Sequence, residues 1–388
     1  MNKQELILIG TTWPFRGGGI ASFNERLARS FQEQGYTVTI YTFSLQYPSF
    51  LFPGKSQYSD TAAPTDLTIH VSINSVNPFN WIKMGRIIRD KKASIVLVRY
   101  WIPFMGACLG TILKIVKKNK VSRIICIADN IIPHEHRIGD TALTQYFVKP
   151  IDAFITLSKK VAEDLKQFSN KKSITVEHPL YDHFGEIMSK QEARDRLGIA
   201  IEEKTILFFG FIRNYKGLDL LLQALAILKY EQQYHPEISV PKLIIAGEYY
   251  EDPNFYKKLI QSLGIEELIY SFTHFIQDEE VKYYLNACDF VIQPYRNATQ
   301  SGVTPLAYHF EKPMLVTNVG ALPDRVLADK SGVVTEATAE SIALGIRKLY
   351  ELGEDHFLMN LRNQKQKYTW EQLTTAIISL ANYKNTSS

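Results

Sequence analysis

Pro294-Tyr295-Arg296-Asn297-Ala298-Thr299-Gln300-Ser301-Gly302-Val303-Thr304-Pro305-Leu306 follows an apolar run from Phe290 to Gln293. The run reads as a strand and the polar stretch as a turn. Ser301-Gly302 then opens a helix expected to continue through Phe310. A helix that starts after a strand with small residues offers free backbone N–H groups and the positive end of its dipole. Both favour a bound phosphate. A simple cap has the same sequence signature, so the reading depends on what the chain places nearby.

Working outward, short β-rich apolar runs alternate with amphipathic stretches. Strands are expected at Leu6–Gly10, Thr37–Phe43, Ile95–Arg99, Arg123–Ala128 and Ala153–Leu157, with helices at Ile20–Gln34, Trp81–Lys91, Gly106–Lys118 and Lys159–Phe168. The second half repeats the pattern. Its strands are Thr205–Phe209, Lys242–Ala246, Ile269–Phe275, Phe290–Gln293, Met314–Thr317 and Val333–Thr335; its helices are Gly217–Tyr230, Asn254–Leu263, Glu279–Ala287, Gly302–Phe310 and Ala339–Leu352. Alternation of this kind implies βα units, parallel sheets and an α/β fold of two Rossmann-like domains. The break is expected near Pro179 to Ser189, and the long irregular segment Pro48–Asp66 reads as a functional loop.

A length of 388 residues suits two domains. The composition, 45% apolar and 22% charged, is that of an ordinary soluble protein. Cys108, Cys126 and Cys288 lie far apart, which disfavours a disulfide framework or zinc site and fits a reducing compartment. The N-terminus reads as a first strand and not as a signal peptide, and the run Ile102–Leu113 is too short to span a bilayer. The protein is therefore expected in the cytoplasm. Charge is uneven: residues 1–180 carry 23 Lys and Arg against 13 Asp and Glu, a net of +10, and the remainder carries −6. Either the first half meets something anionic, or its basic residues simply face water.

Three further loops lie at expected strand ends. Thr11-Thr12-Trp13-Pro14-Phe15-Arg16-Gly17-Gly18-Gly19 lets backbone approach a ligand closely, but its spacing is not the dinucleotide fingerprint, so a nicotinamide enzyme is disfavoured. In Phe209-Gly210-Phe211-Ile212-Arg213-Asn214-Tyr215-Lys216-Gly217-Leu218, Arg213 and Lys216 put two cations at a sheet edge, which suits a diphosphate. Asp129-Asn130-Ile131-Ile132-Pro133-His134-Glu135-His136 sets polar and titratable groups where they could face a cleft. His178 and His183 lie in the interdomain segment. No spacing suggests a metal ligand set.

Together these pieces resemble GT-B glycosyltransferases of family 4, the group 1 type. The resemblance runs through the Gly17–Gly19 loop, the Gly210–Gly217 pattern, Leu243-Ile244-Ile245-Ala246-Gly247-Glu248, Ala287-Cys288-Asp289, Ser301-Gly302-Val303, the segment Lys312–Asp324 and Tyr368-Thr369-Trp370. It implies two Rossmann-like domains facing across a cleft: 1–183 for the acceptor, rejoined by a crossover helix at about 367–388, and 184–366 for the nucleotide sugar. It implies a retaining transfer from a nucleoside-diphosphate sugar to a glycan or lipid-linked acceptor in cell-surface polysaccharide synthesis, an activity of the EC 2.4 class. No cofactor, metal or nucleic acid is implied. Domain closure would exclude water.

Carried over by residue, Lys216 binds the donor diphosphate with Arg213 assisting, since Phe211 stands where the family commonly has an arginine. Backbone amides at Gly302 and Val303 hold phosphate oxygens beside Ser301. Glu248 and the strand end near Ile276 border the nucleotide. Gly18, Gly19 and the His134 region frame the sugar and acceptor, so His134, Arg213 and Lys216 are the expected catalytic residues. The family's paired glutamates are replaced by Ala298 and Leu306, and Thr299, Gln300 or Thr304 is expected to supply the first lost contact. That replacement keeps two other readings open: a catalytically degenerate scaffold binding a sugar nucleotide or a partner protein, and a sugar-nucleotide epimerase.

Trp81, Ile82, Lys83, Met84, Arg86, Ile87, Arg89, Lys91 and Lys92 mix apolar and cationic positions at helical spacing, as do Leu113, Lys114, Ile115, Lys117, Lys118 and Lys120. Such surfaces fit peripheral contact with the inner face of an anionic membrane, with Tyr47–Phe52 as an added apolar contact. The competing reading is that the apolar members pack inward.

Overall fold

The computed structural model describes residues 4–16, 19–48, 57–59, 61–132, 137–298 and 301–383. The chain forms two units, residues 1–179 with 369–388 and residues 180–368. The division after 179 precedes the expected boundary at 183. Leu180, Tyr181 and Phe184 are buried, and the Leu180 N–H donates to the Tyr368 carbonyl at 3.0 Å, which places these residues with the second unit.

The first unit carries β1 (Glu5–Ile9), α1 (Ile20–Glu33), β2 (Thr37–Leu45), β3 (Thr68–Asn74), α2 (Pro78–Lys91), β4 (Ile95–Tyr100), α3 (Gly106–Val116), β5 (Arg123–Ala128), α4 (Asp140–Val148), β6 (Ala153–Thr156), α5 (Lys159–Lys166) and β7 (Ser173–Thr175). Its 7-stranded parallel sheet runs β3-β2-β1-β4-β5-β6-β7. The central strands are nearly continuous apolar runs because helices cover both faces of a parallel sheet; every residue of β4 is buried. The edge strands β3 and β7 stay half-exposed and polar, which hides them from an apolar-run reading.

The second unit carries α6 (Lys190–Leu197), β8 (Thr205–Phe209), α7 (Leu218–Gln232), β9 (Lys242–Ala246), α8 (Pro253–Leu263), β10 (Ile269–Phe272), α9 (Val281–Ala287), β11 (Phe290–Gln293), α10 (Val303–His309), β12 (Met314–Thr317), α11 (Leu322–Ala328), β13 (Gly332–Thr335), α12 (Ala339–Leu352) and α13 (Asp355–Lys365). Its 6-stranded parallel sheet runs β10-β9-β8-β11-β12-β13. The expected pair of Rossmann-like α/β sheets is thus observed. β10 ends at Phe272 instead of Phe275, so Ile276 lies beyond the strand and not at its end. α10 covers Val303–His309, one residue shorter at each end than expected.

The last helix, α14 (Trp370–Asn382), belongs to the first unit. Trp370 packs edge-on against Phe23 of α1 at 4.8 Å, and Arg123 of β5 donates to the Tyr383 carbonyl at 2.8 Å. The three cysteines are buried and free.

Candidate functional site

In both sheets the strand order reverses direction next to the first strand of the unit. Open α/β sheets bind ligands outside the carboxyl ends at that switch point. In the second unit it lies between β8 and β11, which pair directly. The chain leaving β8 is Gly210–Gly217, and the chain leaving β11 begins at Pro294. These are the two segments that sequence singled out.

Two glycines allow the loops to approach. Gly217, at φ 69°, would put a Cβ 2.0 Å from the Pro294 carbonyl oxygen; Gly247, at φ 145°, would put one 2.1 Å from that of Gly210. Any side chain there would push the loops apart. The Ile212 N–H donates to the Glu248 carbonyl at 2.9 Å, fixing the loops after β8 and β9 to each other, and Glu248 itself is buried.

Lys216 closes a single 3-10 turn, Asn214–Lys216, and is only 8% exposed. Its ammonium reaches back under the end of β8: a Cβ on Gly210 would lie 2.8 Å from Nζ. Burial, aided by the positive charge of Arg213, pulls its pKa down to about 8. Among the described residues, neither Lys216 nor Arg213 pairs with a carboxylate. Arg213 lies 5.2 Å from the ring centre of Tyr250, and Lys216 lies 5.7 Å from that of Tyr295. Tyr250 in turn packs on Phe211 at 4.3 Å, and Phe211 on Phe275 at 6.4 Å. A buried ammonium with a second, half-buried cation beside it is costly unless an anion completes the pair.

Tyr295 connects this notch to α10. Its hydroxyl lies 3.3 Å from the Ser301 hydroxyl, and the Val303 N–H donates to Ser301 Oγ at 3.1 Å. This corrects one expectation: the Val303 amide, expected free for a phosphate, is already capped by Ser301. Gly302 is exposed, and a Cβ on it would come 3.6 Å from the Tyr181 hydroxyl. Ala298 and Leu306 are both buried, while Thr304 is held by Gln293 at 3.1 Å and so is not aimed outward. Ile276 is buried. Thr299 and Gln300 lie outside the described residues.

Arg296 is the residue that sequence reading missed. Its guanidinium grips Asp219 at 2.7 and 2.5 Å and donates to the Asn214 carbonyl at 2.9 Å, and its N–H donates to the Tyr215 carbonyl at 2.7 Å. It ties the loop after β11 to the turn that carries Lys216. The partners are 77 positions apart, so no local spacing announces them.

The first unit fills its equivalent place differently. Arg99 at the end of β4 donates to Asp129 at 2.6 and 2.8 Å, with both side chains almost fully buried. Its guanidinium also lies 3.8 Å from the centre of the Phe23 ring. Asn24 donates to the Thr11 carbonyl at 2.9 Å. Asp129, expected to face a cleft, is instead consumed by Arg99. Gly19 precedes α1 at φ 53° and is exposed; Gly17, Gly18 and His134 to His136 lie outside the described residues. Nearby, Trp101 Nε1 donates to the Tyr47 hydroxyl at 2.6 Å, and Tyr47 stacks on Phe104 at 6.0 Å.

A family model described as glycosyl transferases group 1 matches residues 189–369, and one described as glycosyltransferase family 4 matches residues 17–183. A D-inositol 3-phosphate glycosyltransferase of Jonesia denitrificans is 28% identical over 212 residues, which is 52% of this chain and 47% of that protein. The chain spans about half the length of the curated relatives it matches. Among solved structures, sucrose-phosphate synthase from Thermosynechococcus elongatus aligns with a TM-score of 0.72 at 14% identity, over 97% of this chain and 98% of that one. HepE from Anabaena, solved with UDP-glucose, aligns with a TM-score of 0.69 at 13% identity, over 97% and 100%. At these identities the structures speak for the fold. With the family matches on both units, they establish that the chain belongs to the group 1, family 4 glycosyltransferases of the GT-B fold.

Proposed function

We propose that this chain transfers a sugar, with retention of configuration, from a nucleoside-diphosphate sugar to a glycan or lipid-linked acceptor in cell-surface polysaccharide synthesis. The donor binds the second unit and the acceptor the first. The observation that carries the donor assignment is the pair Arg213 and Lys216 at the switch point, without a carboxylate partner among the described residues. A diphosphate supplies the missing negative charge, and the same cations stabilise it as it leaves. The aromatic shelf of Phe211 and Tyr250 lies beside Arg213 and offers a flat apolar surface for the nucleoside.

One specific observation favours the degenerate-scaffold reading: Ala298 and Leu306 offer no side-chain hydrogen bond to sugar or ribose. The test is thermal stabilisation by UDP, GDP and ADP and their sugar conjugates, followed by donor turnover with and without acceptors. Stabilisation with acceptor-dependent turnover supports the transferase. Stabilisation without turnover favours the scaffold, and interconversion of free sugar nucleotides favours the epimerase.

A further inference from the structure

The first unit presents a surface that sugar transfer leaves unexplained. α2 begins in regular fashion: Pro78 occupies the first turn, and the Asn77 side chain accepts from the N–H groups of Phe79 and Asn80. Its inner face, Met84, Gly85 and Ile88, is buried. Gly85 allows α3 to approach closely, since a Cβ there would meet Ile115 at 2.9 Å. The outer face should then be polar. Instead it exposes Phe79 at 85%, Ile82 at 38% and Ile87 at 38%. Positions 79, 82 and 83, then 86 and 87, follow one stripe at helical spacing. The apolar members alternate there with Lys83 and Arg86, both exposed.

These cations are uncommitted. Among the described residues Lys83, Arg86 and Lys91 have no carboxylate partner, whereas Arg89 is paired with Asp90 at 2.8 Å. A groove of about 370 Å³ runs beside the stripe, lined among others by His70, Ser72, Lys83 and Lys91. It therefore offers hydrogen-bond donors and positive charge close to the exposed apolar side chains. On α3, by contrast, the apolar residues Ile112, Leu113 and Val116 pack inward. Among the described residues no helix is long and apolar enough to cross a membrane.

We propose that the outer face of α2 docks onto an anionic phospholipid bilayer. Phe79, Ile82 and Ile87 enter the boundary between headgroups and acyl chains, and Lys83, Arg86 and Lys91 engage lipid phosphates. Charge complementarity selects this occupant: a stripe of large apolar side chains rimmed by unpaired cations matches an interface that is apolar inside and anionic at its surface. A protein partner would need a complementary acidic apolar face, and its binding would not depend on lipid charge. The docking does not require the transferase reading, since it uses none of the residues at the switch point.

The experiment is co-sedimentation of the full chain with vesicles of phosphatidylglycerol and phosphatidylcholine, compared with phosphatidylcholine alone. Binding is expected only with the anionic lipid and is expected to weaken at high salt. Lys83→Glu/Arg86→Glu should lower the partition coefficient by at least about tenfold, and Phe79→Ser/Ile82→Ser by a similar factor. All four positions are exposed, so both variants should keep the parent melting temperature and nucleoside-diphosphate affinity. Equal binding to both vesicle types, binding unaffected by either variant, or no binding to anionic vesicles overturns the proposal; the last result would turn attention to a protein partner.

Discussion

The two units share the order of their central strands and each sets a buried cation at the switch point of its sheet, yet only the first neutralises that charge from within. Arg99 finds Asp129 within its own unit and forms two short hydrogen bonds with it. Lys216 finds another cation, Arg213, and its pKa falls to about 8. The first arrangement is internally complete and serves the fold. The second has no carboxylate to complete it, which is why a diphosphate is proposed there. The same topology can therefore be spent on stability or on binding, and the partner of the buried charge decides which.

The largest effect should come from breaking the complete arrangement. Asp129→Ala leaves Arg99 buried without its carboxylate and should destabilise the protein by about 3–5 kcal/mol, read by urea denaturation. Affinity for a nucleoside diphosphate in the surviving folded fraction should not change. A loss below about 1 kcal/mol, the range of exposed pairs, would show that the Arg99–Asp129 pair does not hold the first unit together.

Lys216→Ala is the converse. It removes a buried cation that no carboxylate compensates, so the ligand-free protein should keep or raise its melting temperature. Affinity for the preferred nucleoside diphosphate, measured calorimetrically, should fall by about 1.5–3 kcal/mol, the scale of a charged hydrogen bond. Lost stability with unchanged affinity would falsify the contrast between the units.

Titration sharpens the same contrast. Lys216 holds its proton less tightly when folded than its ordinary 10.5. The unfolded chain therefore binds more protons between about pH 8 and 10.5, and this group's destabilising effect, full below pH 8, is relieved as pH rises through that window. Diphosphate affinity should move the other way, declining above about pH 8 by up to about tenfold per unit as the ammonium is lost. In Lys216→Ala that decline should vanish. A parent profile that stays flat from pH 7 to 9.5 would mean that the Lys216 charge does not meet the phosphate.

How much of this was legible follows from how each feature is encoded. The central strands announce themselves because a parallel sheet covered on both faces needs unbroken apolar runs such as Ile95–Tyr100. β3 escaped because Thr68-Ile69-His70-Val71-Ser72-Ile73-Asn74 is an alternating edge strand. α6 escaped because it is short and polar, although the pair Ser189 and Glu192 forms a capping box that could have marked its start. Lys216 was legible because a glycine-bounded loop carries it at a strand's end. Its depressed pKa was not, since burial is a property of packing. Arg296 and Asp219, like Arg99 and Asp129, are joined only by the fold.

The smallest effect tests how rigid the open arrangement must be. Arg296 holds the loop after β11 against the Lys216 turn through a two-pronged contact with Asp219 and two carbonyl contacts. Arg296→Lys keeps the positive charge but not the planar fork. The Tyr215 contact survives because it is made by the backbone. The loop should loosen without unfolding, with a cost to nucleoside-diphosphate affinity of about 0.5–1.5 kcal/mol, one net hydrogen bond, and little change in melting temperature. Arg296→Ala should cost more on both measures, because it also leaves the buried Asp219 carboxylate without its cation. If Arg296→Lys binds like the parent, the loop is held by its backbone and by Tyr295 alone, and the open charge of the second unit tolerates a mobile rim. If it loses as much affinity as Lys216→Ala, then placing the anion matters as much as neutralising it. In that case the binding unit depends on its own internally paired cation just as the first unit does.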